Sequence, residues 1–226
     1  MDIEFLSRQT MAASPVKAIS RYLLILLLWP VLVLAGDEQP AEVIRSATDQ
    51  VLAELKAAPG IRSDPVKLNR VVQEYIVPHV DFVTMSRLTL GKNWRQATPE
   101  QRSAFAREFG TLLIKTYSTA LAEYTDQEVE ILSSSVSNDG RRSTVRTRIV
   151  EQGRAPLAID YSLIQVDNSW MIYDVRIEGV SLAINYRSTF ALEIRNHGID
   201  GLIEHLVERN RPGADKLTAA SPDSMR

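Results

Sequence analysis

At Gln127 the apolar residues of this chain change period, from about 3.6 to two, and after Glu178 they change back. A segment with period two flanked by segments with period 3.6 is a sheet between helices, so the fold class is α+β. Four strands fit, at about 127–136, 142–151, 156–167 and 169–178, with turns at Asn138-Asp139-Gly140, at Gly153 and at Asp167-Asn168. Connections this short join antiparallel neighbours, which makes the sheet a four-stranded meander. Val145, Thr147 and Ile149 share one face, as do Leu157, Ile159, Tyr161 and Leu163, and then Met171, Tyr173, Val175 and Ile177. Arg146, Arg148, Asp160, Ser162, Asp174, Arg176 and Glu178 alternate with them. One face is apolar and the other carries mixed charge, so the expected sheet is covered on one side only.

The helices are read from their ends. Pro40 opens the first, and Val43, Ile44, Ala47, Val51, Leu52 and Leu55 recur along it until Pro59-Gly60. Asp64-Pro65 starts a second, with Leu68, Val71, Val72, Tyr75 and Ile76 at i, i+3, i+4, i+7 and i+8, ended by Pro78. Asp81 caps a short helix bearing Phe82, Met85 and Leu88, closed by Gly91. Thr98-Pro99-Glu100-Gln101 is a capping-box start for a long helix to about Tyr124, burying Phe105, Phe109, Leu112, Leu113, Tyr117 and Leu121. Gly110 within it implies a close packing contact, because glycine there costs about 1 kcal/mol relative to alanine. Ser181 caps a helix to about Asn196, Gly198 stops it, and Asp200 caps a last one with Leu202, Ile203, Leu206 and Val207. The total is six or seven helices.

At the N-terminus, Tyr22–Ala35 is uncharged and apolar, preceded by Lys17 and Arg21. It falls short of the roughly 17–25 residues that span a bilayer. Val33-Leu34-Ala35 before Gly36 presents a small residue at the −1 position of a cleavage site, so residues 1–35 are expected to be a signal peptide, with translation starting at Met1 or Met11. The remainder carries 23 basic against 26 acidic residues and offers no clustered basic surface for nucleic acid. No cysteine is present, which removes disulfides, thiolate metal sites and a cysteine nucleophile. Residues 211–226 lack periodic apolar positions and read as a disordered tail, leaving 36–210 as the domain.

Little in the sequence points to bond-making chemistry. His79, His197 and His205 fall into no metal-ligand spacing, and no P-loop, GxGxxG or GxSxG motif occurs. Ser133-Ser134-Ser135 reads as a strand face. Asp160, Asp174 and Glu178 sit among Arg146, Arg148 and Arg176, where exposed ion pairing is the expected role. Periodicity alone does not distinguish a filled core from a cavity.

A set of segments adds to this reading. IVPHVDF (76–82), LGKNWRQATPEQR (90–102), the helix of Phe105 and Phe109, YDVRIEGVSLAINYR (173–187) and HGIDGLIEHL (197–206) together resemble the MlaC family, the toluene-tolerance auxiliary proteins, over about residues 40–210. The resemblance implies an NTF2-like lobe packed with helices around an apolar pocket for phospholipid, with no enzymatic activity and no cofactor. It implies a soluble periplasmic carrier, a monomer, shuttling phospholipid between an outer-membrane lipoprotein–porin complex and an inner-membrane ABC transporter with an MCE-domain ring, and so maintaining outer-membrane lipid asymmetry. The pocket wall expected under it is Val145, Ile149, Ile159, Tyr161, Leu163, Tyr173 and Val175 from the sheet, closed by Tyr75, Ile76, Val80, Leu90, Leu112, Tyr117 and Leu182 from the helices. The same positions would equally serve as plain core. Glu178-Gly179-Val180 is either a pocket mouth or a simple turn, and Lys92 and Arg95 are either phosphate-adjacent or solvated. Two other readings are a periplasmic hydrolase using Asp160, Asp174 or Glu178, and a chaperone for apolar polypeptides.

Overall fold

Helix α1 (Pro40–Ala57) starts on its proline and carries one apolar stripe that serves two partners. Val43 and Ile44 pack on the sheet, while Val51 and Leu55, further along, pack with Ile61, Leu68 and Val71. The computed structural model describes residues 39–123 and 127–211. The expected signal peptide, Tyr124 and the tail from residue 212 lie outside the described residues.

The caps expected at Asp64, Asp81 and Thr98-Gln101 form, whereas Asp200 lies inside the last helix. Asp64 accepts hydrogen bonds from the N–H groups of Val66 (3.0 Å) and Lys67 (3.3 Å) and starts α2 (Pro65–Tyr75). Those bonds, that from Lys67 foremost, hold its carboxyl below the usual range. Asp81 accepts from the Thr84 N–H at 2.8 Å and starts α3 (Phe82–Leu90). The capping box closes in both directions: Thr98 N–H donates to Gln101 Oε1 (3.0 Å), and Gln101 N–H to Thr98 Oγ1 (3.2 Å). Helix α4 (Pro99–Ser118) follows and tightens into a 3₁₀ segment over Thr119–Glu123, so the expected single helix ends earlier than its apolar pattern.

The sheet has five strands, one more than expected: β1 (Glu128–Val136), β2 (Arg142–Val150), β3 (Leu157–Val166), β4 (Ser169–Ile177) and the two-residue β5 (Val180–Ser181). They lie in the order β1-β2-β3-β4-β5, each antiparallel to its neighbour. Asp167 (φ 46°) and Asn168 (φ 66°) turn β3 into β4, and Glu178 (φ 49°) and Gly179 (φ 79°) turn β4 into β5. Positive φ at both central residues is the twist-matched hairpin turn. It also explains β5, which is too short to show alternation.

One irregularity changes the faces. Between β3 and β4, Ser162 pairs with Asp174 but Leu163 pairs with Ile172, so Tyr173 is an extra, bulged residue. The expected face of Met171, Tyr173, Val175 and Ile177 is therefore split. Val175 and Ile177 share a face with Ile172 and Trp170, while Met171 and Asp174 pair with Ile164 and Ser162 on the other side. The second correction follows: Ser162 and Asp174 are buried, and α3 and α5 pack against β4, so the sheet is covered on both sides at this end.

The chain finishes with a single turn, α5 (Leu182–Asn185), and α6 (Arg187–Asn210). Among the described residues there are five helices of nine residues or more, against the expected six or seven. The difference lies at Gly198, whose φ 75° and ψ 179° belong to a region open essentially to glycine alone. The helix breaks there as its sequence implies and resumes at once, with Asp200 accepting from the Gln101 side chain (2.8 Å).

Candidate functional site

The helical part is filled. Phe105 and Phe109 from α4 are 0% exposed and meet Phe190 and Tyr186, with ring centroids 5.3–5.7 Å apart in stacked and edge-on pairs. Met85, Leu90, Leu112, Leu113, Leu202 and Leu206 complete this cluster. An added methyl on Gly110 would stand 3.0 Å from the Phe82 ring, which is the close contact expected of that glycine.

The apolar face of the sheet divides in two. Under α1, Val145 and Leu163 are 0% exposed and pack with Trp170, Ile172, Val43 and Ile44. Beyond that cover the same face continues through Val129, Ile149, Leu157, Ile159 and Ile177, aligned by register across four strands. These lie outside the packed clusters; four are half-buried and Leu157 is 39% exposed. Tyr161 marks the border. Burial pushes its phenol up to about 12, and the neighbouring Thr147 hydroxyl moderates the shift.

The fourteen expected wall residues are thereby placed. Leu90, Leu112 and Tyr117 belong to the helical cluster, and Val145, Tyr161, Leu163 and Val175 to the covered sheet half. Val80 touches both clusters and makes a parallel bridge to Ile172. Tyr75 and Ile76 pack with Leu121 and Ala122 against the far end of α1. Ile149 and Ile159 lie on the half-buried part of the face beyond α1, and Leu182 is half-buried in α5. Tyr173, displaced by the bulge, faces the other way and lines a cleft with Leu88 and Ile164. Burial is the main cause raising the phenols of Tyr75 and Tyr117; carboxylates of Glu74 and Glu54 add to the first, the Tyr186 phenol to the second.

Asp174 departs from its expected exposed role. It is 1% exposed, accepts from the Ser181 hydroxyl (2.8 Å) and the Ala183 N–H (3.3 Å), and so ties β4 to β5 and α5. Glu178 is exposed and accepts from the Ala158 N–H at 2.6 Å. On the charged face Asp160 stands in register between Arg146 and Arg176, and Arg148 pairs with Glu130 at 2.5 Å. Among the described residues no group of three or more His, Asp or Glu could hold a metal ion, and no helix is long and apolar enough to cross a membrane. Sequence reasoning missed Trp170 and Ile172, whose positions the alternation assigned to the polar face. It also missed Arg87, Arg142 and Arg187, which the fold gathers from three distant segments into one cleft of about 330 Å³ with Tyr173. A second cleft, of about 310 Å³, lies beside Tyr75 with Glu54, Lys67, Arg70 and Glu74.

The helices, meander and return helix have counterparts among known proteins. The family described as MlaC protein matches residues 45–208. The chain belongs to the MlaC family. Within it, the chain is 26% identical over 177 residues to the intermembrane phospholipid transport system binding protein MlaC of Haemophilus influenzae, covering 76% of this chain and 83% of that one. It is 27% identical over 188 residues to the toluene tolerance protein ttg2D of Pseudomonas putida, covering 82% and 86%. The structure is similar to that of the phospholipid-binding protein of Ralstonia solanacearum, solved in complex with a phospholipid. The TM-score is 0.70 at 34% identity, over 76% of this chain and 97% of that one. The MlaC resemblance drawn from the sequence segments therefore holds over residues 45–208.

Proposed function

We propose that this MlaC-family chain is a phospholipid carrier of the periplasm, without catalytic activity, and that the acyl chains lie along the uncovered half of its sheet. One observation carries the reading: the similar Ralstonia solanacearum protein, 34% identical, was solved with a phospholipid bound. The local support is the floor of Val129, Ile149, Leu157, Ile159 and Ile177, apolar yet unclaimed by any packed cluster.

The energetics need only a shaped apolar surface. A two-chain lipid in water exposes on the order of 30 methylenes at about 0.8 kcal/mol each. A floor that shields them removes most of that barrier, so uptake and release run near balance and direction comes from the docking partners. Those partners are an outer-membrane lipoprotein–porin complex and an inner-membrane ABC transporter with an MCE-domain ring, and the role is maintenance of outer-membrane lipid asymmetry. The hydrolase alternative loses its best buried carboxylate, because Asp174 already holds Ser181 and Ala183.

Native mass spectrometry tests the proposal. Protein purified without added lipid should carry phospholipid, and Ile159→Glu, which places a charge on the floor, should cut the loaded fraction at least tenfold while circular dichroism stays unchanged. A folded Ile159→Glu variant with undiminished lipid would move the pocket elsewhere; a wild-type mass equal to the bare polypeptide would end the carrier reading.

A further inference from the structure

The cleft on the opposite face of the sheet is built differently from the apolar floor. Its lining is Thr84, Arg87 and Leu88 of α3, Arg142 and Ile164 of β2 and β3, bulged Tyr173, and Arg187 at the start of α6. Three arginines line a space of about 330 Å³, and none lies within ion-pair distance of a carboxylate among the described residues. Three acidic groups on or beside these elements are engaged elsewhere. Asp81 caps α3 through Thr84 (2.8 Å to N–H, 2.5 Å to the hydroxyl). Asp139, whose carboxyl feels the Arg142 charge, takes the Ser137 hydroxyl (2.5 Å) and the Arg141 N–H (3.1 Å). Asp174 is held by Ser181 and Ala183.

Arg187 is the most constrained of the three. Its Nη2 donates to the Leu88 carbonyl, and its Nε lies against Gly91, 3.6 Å from where a side chain would begin. Nε–H is buried without a hydrogen-bond partner. A buried donor left unpaired is costly, and three like charges in one recess repel each other. The repulsion falls when an anion with several acceptor oxygens enters the cleft. Guanidinium forks match tetrahedral oxyanions in shape, and the Tyr173 hydroxyl adds a polar group beside them.

We propose that this arginine cleft is a phosphate-binding site, in which Arg187 is the fixed donor and Arg87 and Arg142, both exposed, are the mobile ones. It rests on the carrier reading only for the source of the phosphate: a lipid headgroup in one case, a free phosphate in the other. Either source presents the same chemistry to the three arginines.

The test uses the full mature protein, lipid-loaded and delipidated, titrated with inorganic phosphate while the arginine Nε–H signals are followed by NMR. Saturable movement of the Arg187 Nε–H signal is expected, weakened at least tenfold in an Arg87→Gln/Arg142→Gln variant, whose exposed positions leave the fold intact. Chloride at equal ionic strength should move it little. If loaded protein takes up phosphate at least tenfold less tightly than delipidated protein, the occupant is a headgroup and the acyl chains lie on this face of the sheet rather than on the floor; if the two bind alike, it is a free phosphate. An Arg187 signal that does not saturate, or that responds alike in the double variant, overturns the site. Native mass spectrometry on the same samples keeps the two proposals apart: lipid carriage without phosphate binding removes the cleft alone, and phosphate binding without lipid removes the carrier alone.

Discussion

The helical cluster and the apolar sheet face are made of the same residue types and end in different states. Between α4 and α6, Phe105, Phe109, Phe190 and Tyr186 touch ring to ring, and Leu202 and Leu206 close around them. On the sheet, α1 covers Val145 and Leu163 but leaves Ile149, Ile159 and Ile177 half-buried. The stripe on α1 turns to α2 after serving the sheet with Val43 and Ile44. The filled cluster leaves no room for a ligand, whereas the half-buried floor is the surface proposed above for hydrocarbon.

Phe109→Ala tests the filled region and should show the largest effect. Removing a fully buried ring from a connected aromatic group costs about 3–5 kcal/mol, read as a lower midpoint in chemical denaturation. A loss under about 1 kcal/mol would mean that the rings pack loosely and that the comparison fails at its first step. The sheet then offers a matched pair. Leu163→Ala, under α1, should cost about 2–5 kcal/mol. Ile149→Ala, on the floor, should cost under about 1.5 kcal/mol in lipid-free protein, because its side chain is already partly hydrated. With lipid bound the second figure should grow, since loading makes the floor part of the core. Equal costs in lipid-free protein would show that the two halves are packed alike.

Much of the fold was legible in the sequence, and what was not has identifiable causes. Asp64, Asp81, the Thr98/Gln101 box and Ser181 could be read because a cap is local: a side chain meets an N–H two or three residues away. The strand ends were legible for the same reason, through the Asp167-Asn168 turn. The bulge at Tyr173 was not, since the apolar residues keep period two straight through it and only cross-strand pairing reveals the change of face. That single residue moved Tyr173 off the expected wall and brought Trp170 and Ile172 into the core. The uncovered floor was also invisible: Ile149 and Val145 look identical by pattern, and what separates them is where α1 ends its contact. The arginine cleft joins positions 87, 142 and 187, which no local motif connects.

Gly110→Ala probes the filled region more gently. In an open helix the change would stabilise by about 1 kcal/mol. Here the new methyl would meet Phe82 at 3.0 Å, so a net loss of about 1 kcal/mol is expected by denaturation. A gain would indicate that the Phe82 ring has room to withdraw, and that the helical cluster holds slack like the sheet.

Tyr161→Phe has the smallest expected effect near neutral pH, about 1 kcal/mol for a lost hydrogen bond, yet it locates the border between the two halves of the face. Burial raises the phenol from its ordinary value near 10 to about 12. Between those values the unfolded chain gives up its proton while the folded chain keeps it. The stabilisation is therefore complete below pH 10 and is lost as the pH rises toward 12. Replacing Tyr161 should flatten that alkaline decline without abolishing it, because Tyr75 and Tyr117 are shifted in the same direction. Lipid sharpens the measurement. If hydrocarbon lies against Ile159 and Tyr161, loading removes water from the phenol and steepens the wild-type decline, while the Tyr161→Phe protein responds less. A decline identical in loaded and delipidated wild type would place the acyl chains away from Tyr161, and the floor would then lose its strongest claim to them.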